Sequence, residues 1–158
     1  MTLLALALAA ALQAEPACPA KPAEPPVIFG GWTARAPLKL GTGAGDTPKV
    51  ETGNGFDATL SKTVTFELKP EKAGDADSYG GMIEIQIDRT GVLAVGLSSG
   101  AWVDLVQGGA AVKADAFGHG PACTGIVKQL RFPVGQGQYI LQISNSKTPT
   151  ISLVLGEE

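Results

Sequence analysis

Histidine is all but missing from this chain: His119 is the only one, and Cys18 and Cys123 are the only cysteines. A structural zinc site is usually four-coordinate and draws on several Cys or His ligands, so one built from His119, Cys123 and nearby Asp115 is short of donors. Charge is also sparse, at 17%, with a net charge of −3 and no stripe of Lys or Arg. Nucleic acids and anionic membrane surfaces are therefore excluded as expected partners. Beyond the first residues, no apolar run approaches the length of about 20 needed to span a bilayer. Nor does any later stretch sustain a helical period with caps, which excludes a helical bundle.

What is present begins with an apolar segment, Met1–Ala14, closing in Leu12-Gln13-Ala14. This is the pattern of a secretory leader with a small residue at the cleavage point, although its first residues carry no Lys or Arg. The expectation is a signal peptide over 1–14, with a periplasmic or secreted chain beginning at Glu15. Glu15-Pro16-Ala17 ahead of Cys18 is wrong for a lipid-modified cysteine. In such a compartment an even pair of cysteines reads first as a disulfide. A Cys18–Cys123 bridge would close a loop of about 100 residues, for which chain entropy gives about 4–5 kcal/mol. No membrane insertion is expected once the leader is removed.

Residues 15–26 hold Pro16, Pro19, Pro22, Pro25 and Pro26. Proline fixes φ and lacks a donor, so this segment is expected as an extended arm. Residues 41–57 are glycine-rich and polar, and are expected as a long loop or a poorly regular hairpin region. The remainder reads as strands by strict alternation. These are Thr63–Leu68, Met82–Asp88, Val92–Leu97, Ala101–Gln107, Ala111–Phe117, Ile126–Phe132, Gln138–Ser144 and Thr150–Leu155. Arg89-Thr90-Gly91 reads as a tight turn, and Gly108-Gly109 marks a hairpin. About eight short strands argue for an all-β fold, an antiparallel two-sheet β-sandwich of jelly-roll type, over residues 27–158.

The order Thr63–Leu68, Gly91–Leu97, Val103–Val106 and then Phe132–Ile143, with its Gly137-Gln138-Tyr139 step, resembles the bacterial pre-peptidase C-terminal β-sandwich domains. Those are non-catalytic modules carried by secreted enzymes. The resemblance covers about residues 62–155 and implies a binding or structural role in the bacterial envelope, with the expectation of a module that carries no enzyme. The chain also resembles small secreted bacterial proteins labelled homogentisate dioxygenase. That activity needs a much larger fold and a His/His/Glu iron site, which one histidine cannot supply.

Several segments carry possible chemistry. Gly96-Leu97-Ser98-Ser99-Gly100 matches G-x-S-x-G, and Asp104 or Asp115 and then His119 follow in hydrolase order. A nucleophile elbow needs a strand-to-helix turn on a parallel sheet, whereas Ser98 is followed by another strand. The alternative of a small serine hydrolase thus rests on Ser98, Asp115 and His119. Gly118-His119-Gly120-Pro121-Ala122-Cys123 is the densest cluster and reads as a rigid loop. Its glycines offer backbone conformations closed to other residues, which makes His119 a candidate binding residue. With Cys123 free, a metal- or redox-linked protein is a further alternative.

Asp75-Ala76-Asp77-Ser78-Tyr79-Gly80 resembles the start of a calcium loop, but Gln86 stands where a bidentate Glu is required. Gly41-Thr42-Gly43-Ala44-Gly45 lacks the strand–helix context of a phosphate loop and reads as flexible. Trp102 shares a strand face with Asp104 and Val106, and an aromatic ring beside a carboxylate can bind sugars or sit in a core. The candidate binding residues are therefore His119, Trp102 and Asp104. No catalytic residue, metal ligand or cofactor is assigned, and the expected partner is a protein or a carbohydrate.

Overall fold

Two sheets pack face to face in the computed structural model, which describes residues 16–158. The expected leader over 1–14 lies outside the described residues. The six-stranded sheet runs in the order β1 (Arg35–Lys39), β3 (Gly55–Thr59), β11 (Thr150–Glu157), β5 (Gly91–Leu97), β9 (Lys128–Val134) and β8 (Ala116–His119). The five-stranded sheet runs β2 (Lys49–Val50), β4 (Tyr79–Ile87), β10 (Gly137–Ser146), β6 (Trp102–Gln107) and β7 (Ala110–Val112). With β1, β2 and β8 set aside, eight strands remain in jelly-roll order. In that order β11 lies between β3 and β5, and β10 lies between β4 and β6.

The sheets are mixed rather than purely antiparallel, because β1 pairs in parallel with β3, and β2 with β4. The segment 41–57, expected as a long loop or a poorly regular hairpin region, contains β2 and the start of β3, short strands that the glycines hid. Its glycine run, expected as a flexible loop, folds into a hydrogen-bonded turn. The Asp46 carboxylate accepts the N–H groups of Thr42 and Gly43 and the Thr42 hydroxyl, which closes the turn and lowers the Asp46 pKa. Ala111–Phe117, expected as one strand, is divided between β7 and β8. Residues 113–115 carry the chain from one sheet to the other.

Alternation explains the core. Ile83, Ile85 and Ile87 of β4 face Leu93, Val95 and Leu97 of β5 across the sandwich, with Leu105, Leu141, Ile143, Leu153 and Leu155 beside them. Each such side chain contributes about 1.5–3 kcal/mol through burial. The Gly108-Gly109 hairpin forms as expected, with φ of 58° and 77° at its two glycines.

Both outer faces are also covered. On the six-stranded sheet, 3-10 turns over Val27–Thr33 bury Phe29 and Trp32 against Ala94, Ile126 and Val154. The Trp32 indole donates to the Thr124 carbonyl at 2.9 Å. Cys18 and Cys123 are joined, with Cα atoms 5.3 Å apart, and the Ala23 N–H donates to the Cys123 carbonyl. The proline arm is thus tied to the loop that covers this face.

On the five-stranded sheet the cover is the segment expected as strand Thr63–Leu68. Val64, Phe66 and Leu68 do turn inward while Thr63, Thr65 and Glu67 are exposed, but no strand ladder forms. The segment lies across the sheet face instead of along an edge. Buried Gln142 holds it there: its amide accepts the Leu68 N–H at 3.0 Å and donates to the Leu68 carbonyl at 2.8 Å. One residue pair further, the Ser144 hydroxyl donates to the Lys72 carbonyl.

Candidate functional site

The jelly roll is open along one flank. β8 ends one sheet and β7 ends the other, and the 113–115 link spans between them. A cavity of about 470 Å³ opens there. Buried Val103, Leu130 and Phe132 form its floor, Val112 and Phe117 its edges, and Lys72, Lys113 and Lys128 bring charge to it. Phe117 is 81% exposed at this mouth, an unusual position for so apolar a ring.

Trp102 begins β6, and Val103 and Leu105 point into the core. The side chains of Trp102, Asp104 and Val106 therefore alternate to the other face. Trp102 is half-buried at the cavity rim rather than in the core. Its indole N–H donates to Asp104 Oδ1 at 3.0 Å. The Lys72 ammonium stands 4.6 Å from the Trp102 ring centroid and the Lys128 ammonium 5.3 Å from it. Lys128 also donates to the Ala101 carbonyl at 2.8 Å. Sequence alone pairs Trp102 with Asp104 correctly, but not with the two lysines, which arrive from the strap of residues 63–72 that crosses the five-stranded sheet and from β9 of the other sheet.

Asp104 Oδ2 is buried and has no hydrogen-bond partner among the described residues. The Glu71 main-chain N–H lies near enough to favour the charged carboxylate without completing a hydrogen bond to that oxygen. Burial raises the Asp104 pKa, opposed by the Trp102 N–H and the Glu71 amide and reinforced by the Glu71 charge. Lys128 is shifted downward, first by burial and then by the charge of Lys72. One unsatisfied acceptor and two close cations are thus held against an apolar floor.

His119 stands elsewhere in the fold. It is the exposed last residue of β8, not part of a rigid loop, and it does not line the cavity. Gly118 and Gly120 do not adopt positive φ; the left-handed residues nearby are Cys123 and Gly125, at 60° and 86°. Gly120 matters for space instead, since a side chain there would meet the Ile126 carbonyl. Cys123 is bonded to Cys18, which removes the thiolate that the metal reading required. Among the described residues no group of three or more His, Cys, Asp or Glu side chains is placed to hold a metal ion.

The serine arrangement is not assembled. Leu97, Lys128 and His119 stand in one row across β5, β9 and β8. Two strand spacings of about 4.8 Å therefore separate the serine end of β5 from His119, and Ser98 alternates to the opposite face. The Ser98 hydroxyl accepts the Ser152 N–H at 2.9 Å, which extends the β5–β11 pairing. Asp115, at the start of the β8 edge, donates its N–H to the Arg131 carbonyl and is exposed. The calcium-like segment is likewise committed, because Asp75 accepts the Asp77 N–H and the Ser78 hydroxyl and faces Lys147.

Fold and site together define an all-β jelly-roll sandwich with a ligand-sized flank cavity. No protein-family model matches the chain, and comparison with curated proteins finds no match.

Proposed function

We propose that this protein is an exported, non-enzymatic binding module of the bacterial envelope, and that its ligand enters the flank cavity beside Trp102 and Asp104. The observation that carries this is the cavity itself: about 470 Å³, with an apolar floor and a few convergent polar groups, the usual make-up of a small-ligand site. Its volume and lining suit a small molecule. Stacking of a sugar on Trp102 is less favoured, because two lysines already occupy the neighbourhood of the ring. A protein partner pairing along β8 is the second reading, favoured by the exposed Phe117 on an unpaired sheet edge. The Cys18–Cys123 bond supports an oxidising compartment.

The test is an NMR titration of isotopically labelled protein with a library of small fragments and oligosaccharides. Binding should move the Trp102 indole and the signals of Val112 and Phe117. If no compound perturbs the cavity, the binding-module reading is overturned. Export is checked by N-terminal sequencing of protein from its native compartment: a start near Glu15 supports it, and an intact Met1 rejects it.

A further inference from the structure

We propose that the flank docks an extended segment of a partner protein, which adds a strand to the β8 edge, seats one large apolar side chain in the cavity and carries acidic residues at its ends. This inference rests on the binding-module reading and names what enters the cavity.

Two independent features of the flank meet at β8. The first is a free edge. Ala116–His119 is the last strand of its sheet among the described residues, all of it is exposed, and it holds none of the Lys or Pro that guard many sheet edges. In an antiparallel pair, residues alternate between bonding the neighbouring strand and facing away from it. The Gly120 N–H donates to the Val127 carbonyl at 3.0 Å, and the same register pairs Gly118 with Gln129 and Ala116 with Arg131. The main-chain groups of Phe117 and His119 therefore point outward. The Gln129 side-chain amide already donates to the His119 carbonyl at 2.9 Å, and a carbonyl oxygen has a second lone pair to offer.

The second feature is the cavity beside that edge. Phe117 is in register with buried Leu130, so it stands on the core side of its strand, and both line the cavity. A strand added outside β8, about 4.8 Å away, extends the same face and hangs its alternate side chains over the cavity. The floor of Val103, Leu130 and Phe132 is apolar. At about 30 Å³ per heavy atom, the share of a water molecule in the liquid, 470 Å³ exceeds the need of any apolar side chain. In this mode of recognition main-chain bonds supply affinity and a pocket for an alternate side chain supplies specificity. Charge selects the ends. Lys72, Lys113 and Lys128 line the cavity against Glu71 and Asp104, and Asp104 already takes the Trp102 N–H. Asp115, just before β8, is exposed and does not line it. Carboxylates on the partner complement the excess of lysine in the lining.

The experiment is NMR of the full, disulfide-bonded, isotopically labelled protein with a short blocked peptide. The peptide has glutamate at each end, phenylalanine at the centre, valine two positions to either side and threonine between. Three further peptides each change one feature: backbone amides N-methylated, glycine at the centre, or lysine at both ends. The parent peptide should bind, move the Val112 and Phe117 signals, and slow solvent exchange of the Phe117 and His119 amides by about tenfold or more. N-methylation should abolish binding. Central glycine and lysine ends should each weaken it by about tenfold or more.

Unchanged exchange at Phe117 and His119 overturns strand addition. Equal affinity for the glycine-centred peptide overturns the seated side chain, and equal affinity for the lysine-ended peptide overturns the acidic partner. Protection of the same amides on concentrating the protein alone assigns the edge to a second copy and overturns the proposal. If no peptide binds while fragments still perturb Trp102, the partner is wrong and the binding-module reading stands. If nothing perturbs the cavity, both fail.

Discussion

Trp102 and Asp104 are bonded along one strand face, indole N–H to carboxylate Oδ1 at 3.0 Å, and the second carboxylate oxygen is left buried and alone. Separation by two residues puts both on the same side of β6, so the pair forms from local geometry. The setting of the lone oxygen is not local, because the Glu71 main chain and charge act on the carboxylate from a distant segment.

That setting has a pH signature. Burial holds the Asp104 pKa above its ordinary 3.8. A raised folded-state pKa means the native protein binds the proton more tightly than the unfolded chain. The resulting stability is full below the unfolded pKa and is lost as pH rises to the folded pKa, then stays level. Asp104→Asn keeps an oxygen for the Trp102 N–H and removes the titration. Its melting temperature relative to the parent should be higher at neutral pH than at about pH 3. Thermal melts across that range check this, and a difference that does not change with pH rejects it.

Gln142 should matter more than its surface-like residue type suggests. Replacing it with Ala strands the Leu68 N–H and carbonyl under the strap. The expected cost is about 1–3 kcal/mol, with loss of hydrogen-exchange protection at the Leu68 amide. Urea unfolding and amide exchange measure both. An unchanged Leu68 protection factor would contradict the clamp.

The Cys18–Cys123 bond joins residues separated by 105 positions. In the chain-entropy model its removal costs about 4–5 kcal/mol. The double variant Cys18→Ala/Cys123→Ala should lose stability of this order in denaturant. Its 16–26 arm should also become sensitive to limited proteolysis. Alkylation of the native protein under non-reducing conditions should add no label, and two labelled thiols would refute the bond.

His119→Ala is the control. The side chain is exposed at the end of an edge strand, so stability should move by less than about 0.5 kcal/mol. Since the residue does not line the cavity, binding there should be unchanged in the NMR titration of the cavity. A loss of affinity would return His119 to the site.

Much of the fold was legible from residue order because strand alternation is a local property. Ile83, Ile85 and Ile87, or Leu93, Val95 and Leu97, announce a buried face without reference to anything else. The disulfide was legible too, since two cysteines allow one pairing. Phe29 and Trp32 went unassigned, because a short 3-10 segment has too few turns to show a period.

What sequence by itself determined is which face of each segment is apolar; what tertiary structure decided is what that face meets. Thr63–Leu68 alternates as cleanly as any strand, yet lies as a strap across the sheet face, where the Gln142 amide takes the backbone bonds of Leu68. Strand pairing depends on distant partners, and so does the cavity. Lys72, Trp102, Phe117 and Lys128 come from a strap and three strands in two sheets. No spacing along the chain encodes their convergence; only the order in which the jelly roll stacks its strands brings them to one flank.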